Sequence, residues 1–463
     1  MSNKVYKNST PLMNLHGVPI YMNDMVDACL YGRLNLFLQG DTGSGKTLLA
    51  KEAMSYFGDR SISILGRNDM DIRELFQRFN LHKLSYKPKY DLEPLVNSET
   101  GEIEWYYPKI KKEGVFSYRK ITQDQAKLVK TKLEQLAGTT EDVKELTSKI
   151  NANLIVVDEL PNCVSAVRAQ LFNLFDGFIE INGRNYSLGD GYSVGIATGN
   201  IGQQFTESSN DLGRALKDRM HVIIDADYFF PRPRDTHDIL NEDTNPRVEF
   251  TRESPSGFED IIKKHNEVVS SNVPLEKLII ANYLLHGLDS FSKGSKRKMK
   301  DSWSNALENH ESGSDIGLVS AISPRAAKSI IRLSQSLDYV ARQKLLMDSQ
   351  SSDKADNSDE IIEKGYLNSM LQAYKFVSAY SGVLNDSAVR SNYHGDNYAA
   401  LDAVIASTKT QFSSQAKNIG AGLEMVDKGE LNKKVLDLYR GRWEFLRDIF
   451  ESLIEKNRPK EID

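Results

Sequence analysis

The sequence predicts an α/β protein: a parallel sheet with crossover helices in the amino-terminal half, then an all-helical region. Three observations predict it. Short apolar runs at 34–38, 61–65, 154–157, 194–198 and 221–225 are separated by stretches of helical patterning, as expected of parallel strands joined by helices. A glycine-rich turn at 40–45 sits between the first run and a helix-patterned stretch. From about residue 231 the strand signal fades and helical spacing dominates.

Taken in order, a helix is predicted at 23–31, a strand at 34–38, a helix at 47–56 and a strand at 61–65. Residues 82–150 break this rhythm. An aromatic, lysine-rich stretch (104–118) leads into a polar helical stretch (124–150), and the whole reads as an insertion between two sheet strands. Residues 178–186 read as a β-hairpin turning at Asn182 and Gly183. The polar, serine-rich 349–359 reads as a linker. Beyond it Val435, Leu438, Tyr439, Arg442, Leu446, Ile449, Phe450 and Leu453 keep helical spacing and predict one final packing helix. The expected division is a nucleotide-binding core at 1–230, a helical lid at 231–348, the linker, and a helical region at 360–463.

Composition bounds the rest. Lys plus Arg (59) against Asp plus Glu (64) gives a net charge of −5 in 463 residues, so the chain as a whole has no basic footprint for nucleic acid. Two cysteines, Cys29 and Cys163, are too few for a disulfide framework. Residues 1–11 are polar, and no run approaches the ~18 apolar residues of a membrane span. The expected compartment is the cytoplasm.

Residues 40–47 read Gly40, Asp41, Thr42, Gly43, Ser44, Gly45, Lys46, Thr47, the G-x-x-x-x-G-K-[ST] phosphate loop, with strand before and helix after. Glycines let backbone N–H groups curl around phosphate oxygens, and the helix start adds partial positive charge. Lys46 would meet the β- and γ-phosphates and the Thr47 hydroxyl would ligate Mg²⁺. The strand 154–157 ends in Asp158 and Glu159. Ligands of parallel sheets sit at carboxyl strand ends. Asp158 is therefore assigned to the Mg²⁺ shell and Glu159 to the attacking water. Asn200, at the next strand end, can bond water and γ-phosphate. Arg219, before the last strand, suits a cationic finger reaching a neighbouring subunit's nucleotide, with Arg214 as competitor. Ser323 and Pro324 open a helix as N-cap and first residue, and Arg325 projects from that start.

This order of motifs resembles an AAA+ ATPase, and its flavour resembles the MoxR family, across about 15–340. The family's D-E-I-N-R-A-P is similar to 158–164 here, with Pro161 and Asn162 replacing its asparagine and arginine. Its A-T-Q-N-P is similar to 197–201, its D-R-F to 218–220, and its S-P-R-A recurs at 323–326. The resemblance implies a P-loop NTPase sheet that binds ATP with Mg²⁺ through 40–47 and Leu48, with Val18 and Pro19 against adenine. It makes Arg219 the trans finger and Arg325 the lid sensor. It also implies a homo-oligomeric ring, a hexamer, acting chaperone-like on a protein client or adaptor, and it places the hairpin toward the ring pore. The alternative is a nucleic-acid-directed motor or restriction-type NTPase of a related AAA+ clade, supported by the lysine-rich run 293–300.

Overall fold

The computed structural model describes residues 6–67, 71–79, 93–96, 103–110, 116–122, 124–125, 127, 144–181, 183–200, 213–242, 256–288, 303, 317–348 and 358–457. The basic run 293–300 and most of the expected linker lie outside these residues.

The chain opens with a hairpin, Met13–Leu15 (β1) and Val18–Ile20 (β2), in which Leu15 pairs with Val18. The helix predicted at 23–31 forms as Met22–Gly32 and stops at Arg33, whose φ of 53° turns the chain out of the helix. Leu36–Gln39 (β3), the helix Lys46–Phe57 and Ser61–Leu65 (β4) follow as the sequence predicts.

Asp71–Ile150 form a separate compact unit. Its strands are Gln77–Phe79 (β5), Glu93–Val96 (β6), Ile103–Ile110 (β7), Phe116–Ile121 (β8) and Lys144–Leu146 (β9). β6, β7 and β8 make an antiparallel sheet with β7 central, and β5 pairs antiparallel with β9. The helical reading of 124–150 is corrected at its end: Lys144–Leu146 is strand and Ser148–Asn151 a 3₁₀ turn. A cross-strand partner decided what polar local propensity could not.

The main unit resumes with Leu154–Asp158 (β10), the helix Ser165–Phe175, Phe178–Ile181 (β11), Arg184–Ser187 (β12), Val194–Gly199 (β13) and Val222–Asp225 (β14). β11 and β12 are the predicted hairpin. The central sheet has the order β14-β3-β13-β10-β4, every neighbouring pair parallel. Leu154, Ile155, Val156 and Val157 are all buried, as expected of a strand covered on both faces. Each such side chain contributes about 1.5–3 kcal/mol by leaving water. Because all five strands run the same way, their carboxyl ends share one edge and their amino ends the other.

Helices dominate from Pro233 onward, including Ser256–Ser270, Leu275–Asn282, Pro324–Asp348, Ser358–Lys364, Tyr366–Ser378 and Asn397–Lys428. A buried ion cluster pins this region to the hairpin. Asp338 accepts from Lys277 Nζ at 2.5 Å and pairs with His16 Nε2 at 2.7 Å. Removing one partner of such a pair typically costs about 3–5 kcal/mol. The single final helix of the sequence reading is corrected. Lys433–Leu436 and Phe445–Asn457 are separate helices, broken at Gly441 with φ 59°. Tyr439 and Phe450 meet across the break at 5.5 Å between rings, so the helical spacing recorded burial on two segments. Among the described residues no helix is long and apolar enough to cross a membrane.

Candidate nucleotide site

β3 hands the chain to the loop at Gly40, at the carboxyl edge of the sheet. Gly43 and Gly45 adopt φ of 90° and 82°, which residues with a Cβ rarely take. At Gly45 a Cβ would also lie 2.7 Å from the Tyr6 ring. The Lys46 ammonium is held inside the turn, donating to the Gly40 carbonyl at 3.0 Å, the Asp41 carbonyl at 2.6 Å and Ser44 Oγ at 3.1 Å. Burial pushes its pKa down, while Asp227, Glu159, Asp41 and Asp158 pull the other way.

The neighbouring strand ends deliver the carboxylates. Thr47 Oγ1 donates to Asp158 Oδ1 at 3.3 Å, and Thr198 Oγ1 donates to the same oxygen. Two oxygen donors thus stand side by side, a set that suits Mg²⁺. Glu159 follows with φ 57° and ψ 43°. Its pKa is raised, first by burial and then by Asp158, against a lowering by Lys46. Asn162 Nδ2 donates to Glu159 Oε2 at 3.4 Å, so the residue that departs from the MoxR pattern touches the carboxylate assigned as base. Pro161 departs too. A Cβ on Gly199 would lie 2.2 Å from its ring, which makes this glycine obligatory beside the proline. Asn200 Nδ2 reaches Thr42 Oγ1 at 3.5 Å, and its buried Oδ1 has no hydrogen-bond partner among the described residues. An unmatched buried acceptor beside an anion cradle fits a hydrogen-bond donor such as a water.

The two arginines are elsewhere. Arg219 Nε donates to Asp176 Oδ2 at 2.9 Å, and its guanidinium lies 4.8 Å from the Phe172 ring centroid. Arg325 lies 3.6 Å from Asp218 and 3.9 Å from Asp176. Asn35, just before β3, donates through Nδ2 to the carbonyls of Phe175 and Arg219. Both arginines therefore belong to the amino edge of the sheet, away from Lys46. Ser323 caps as expected, accepting from Ala326 N–H at 3.0 Å. The anions that meet Arg325 in its own chain are carboxylates. Arg214 is the second residue of the helix Gly213–Lys217, and its side chain lies outside the described residues.

Val18 is buried in β2. Pro19 is exposed, with its carbonyl bonded by Lys344 Nζ at 2.8 Å. Their part in adenine binding rests on the family resemblance. The residue set against Gly45 is instead Tyr6, in a segment that crosses to Phe229 through Asn8.

Sequence reasoning missed the turn after β14. Asp41 N–H donates to Asp227 Oδ2. Asp225 Oδ1 accepts from the N–H groups of Asp227 and Tyr228. Asp225 Oδ2 accepts from Tyr380 Oη at 3.1 Å and Gln39 Nε2 at 3.3 Å. The signal was present as Asp225-Ala226-Asp227 at a strand end next to the phosphate-loop strand.

Comparison with known proteins bears on this geometry. Residues 35–220 match the family AAA domain (dynein-related subfamily). The fold is that of an AAA P-loop NTPase. No curated protein matches the chain. One solved structure that matches is that of a candidate ATPase from Cytophaga hutchinsonii. It shares 15% identity, with 83% of this chain and 88% of that chain covered and a TM-score of 0.47. The matched AAA stretch contains the phosphate loop, Asp158, Glu159, Asn200 and Arg219, and ends before Arg325.

Proposed function

We propose that this protein is a Mg²⁺-dependent ATPase of MoxR type, working as a ring that remodels a protein client. The observation that carries the reading is the gathering of Thr47, Asp158, Glu159 and Asn200 around the Lys46 turn at one sheet edge. The 1–230 core binds nucleotide, with 231–348 as lid and 360–463 as a further helical region. In this reading the loop N–H groups and Lys46 bind the phosphate chain. Thr47 and Asp158 hold Mg²⁺, which when bound offsets charge on the phosphate oxygens. Glu159 orients the attacking water and takes its proton. Asn200 Oδ1 accepts from that water. Arg219, at the opposite edge, serves a neighbouring subunit's nucleotide as the finger, and Arg325 is the lid sensor.

The test compares wild type with Glu159→Gln for phosphate release, retained nucleotide and sedimentation. The variant is expected to lose turnover about 10²–10⁴-fold while keeping nucleotide and favouring the assembled form. Equal phosphate release by both proteins would reduce the site to a nucleotide-binding scaffold. DNA added to the wild-type assay is expected to leave turnover nearly unchanged. Strong stimulation would favour the nucleic-acid motor.

A further inference from the structure

A cavity of about 630 Å³ opens at the amino edge of the sheet, the edge away from the phosphate loop. Asn35, Ser193 and His221, which immediately precede β3, β13 and β14, form part of its wall. The helices Ser256–Ser270 and Pro324–Asp348 supply the other side. Arg325, Lys328 and Arg332 all line it. They are spaced three and four residues apart, so one helix face presents all three. Arg33 joins them from the turn that ends the helix Met22–Gly32.

Among the described lining residues four permanent cations stand against one carboxylate, Asp176, which already bonds Arg219 at 2.9 Å. Arg325 keeps only long contacts, at 3.6 and 3.9 Å. Among the described residues no carboxylate pairs with Arg33, Lys328 or Arg332; Arg332 reaches the Val268 carbonyl at 3.4 Å. The excess is felt by its neighbours. His221 and His265 also line the cavity, and burial together with these arginines pushes both toward the neutral form. Like charges converging on a partly buried space raise the energy of the empty protein, and a matching anion relieves it. Guanidinium groups favour phosphate oxygens, which they bind with two parallel hydrogen bonds. The start of the helix at Pro324 adds its own partial positive charge.

We propose that this cavity is a second anion site, separate from the phosphate loop, that takes a small molecule carrying a chain or cluster of phosphates. The volume suits a small molecule rather than a polymer. Val269, Val273 and Ile331 give it an apolar flank for a non-phosphate portion. The site stands on its own geometry: it shares only Arg325 with the ATPase reading, and Arg33, Lys328 and Arg332 have no part in that reading.

The test titrates inorganic triphosphate into full-length Lys46→Ala protein, in which the phosphate loop is disabled, by calorimetry at a dilution where sedimentation reports monomer. Saturable binding is expected, weakening with added salt. Adding Arg33→Asn and Lys328→Ala should weaken it at least about tenfold, because two of four cations are lost. Asn tolerates the left-handed backbone at position 33 and Lys328 is exposed, so both changes preserve the fold. Absence of binding, or binding unaltered by the two substitutions, would overturn the proposal. So would binding that appears only when copies associate in the presence of ATP, since the phosphates would then belong to a neighbour's nucleotide.

Discussion

Glu159 occupies left-handed backbone, which costs a residue with a Cβ about 1–2 kcal/mol. Its surroundings enforce the conformation. Gly66 N–H donates to the Asp158 carbonyl at 2.7 Å, and a Cβ on Gly66 would lie 2.5 Å from the Glu159 carbonyl oxygen. The strained turn aims a carboxylate off the strand end, and burial beside Asp158 raises its pKa. A general base works only when deprotonated, so turnover should fall with decreasing pH through that raised pKa. The acid limb of kcat is therefore expected above the ordinary glutamate range. A limb at the ordinary range would mean that Glu159 is not the titrating base. His221 offers a separate reading of charge at the other edge. Its Nδ1 accepts from Asn35 N–H at 2.8 Å, and burial, then Arg325, bring its pKa from 6.5 down to about 4. Asp176 and Asp218 oppose this. Between those values the unfolded chain binds the proton and the folded chain does not, so stability falls as pH drops from 6.5 to about 4. The loss is of the order of 3 kcal/mol, as 1.36 kcal/mol per unit implies. In His221→Gln the urea midpoint should lose that part of its pH slope, whatever its absolute value. Identical slopes would show that His221 titrates normally.

At the scale of elements, the turn after β14 ties the carboxyl-terminal helices to the phosphate loop. Tyr398 Oη accepts from Asp225 N–H at 3.1 Å, Tyr380 donates to the Asp225 carboxylate, and Asp227 bonds Asp41 in the loop. Tyr380→Phe removes one bond from this chain without touching nucleotide. It should raise KM for ATP several-fold with little change in kcat, as loss of one positioning hydrogen bond worth about 1 kcal/mol implies. A pure fall in kcat would instead place Tyr380 in the chemistry. Little of this connection was legible in the sequence. The five sheet strands were, because each is a compact apolar run, and so was the hairpin read at 178–186, because an Asn-Gly turn sets its own register. The phosphate loop and Asp158 were legible because local spacing alone fixes their geometry. Tyr380, Tyr398 and Tyr6 were not. Their partners lie 155, 173 and 39 positions away, and no local pattern marks a tyrosine that will meet a distant strand end. The break at Gly441 was hidden for a related reason, since burial on two short helices mimics the spacing of one.

For the whole molecule the decisive fact is the separation of its charged groups. Lys46, Asp158 and Glu159 stand at the carboxyl edge of the sheet, and Arg219 and Arg325 at the amino edge. The strands between them, four to six residues long, span roughly 13–20 Å at 3.3 Å per residue. That gap is wider than one arginine side chain bridges. A chain whose arginines assist hydrolysis must therefore lend them to another copy. In a closed ring each site then takes its loop from one subunit and its arginine from the next. Arg219→Ala and Lys46→Ala should each be nearly inactive alone. Mixed in equal amounts and allowed to reassemble, half the loops and half the fingers are intact. About a quarter of the sites then combine both, so turnover should recover to about a quarter of wild type if sites act independently. Cosedimentation of differently tagged variants verifies that mixed rings formed. Mixed rings with no recovery would remove Arg219 from the neighbour's site and leave Arg214, in the preceding helix, as the finger.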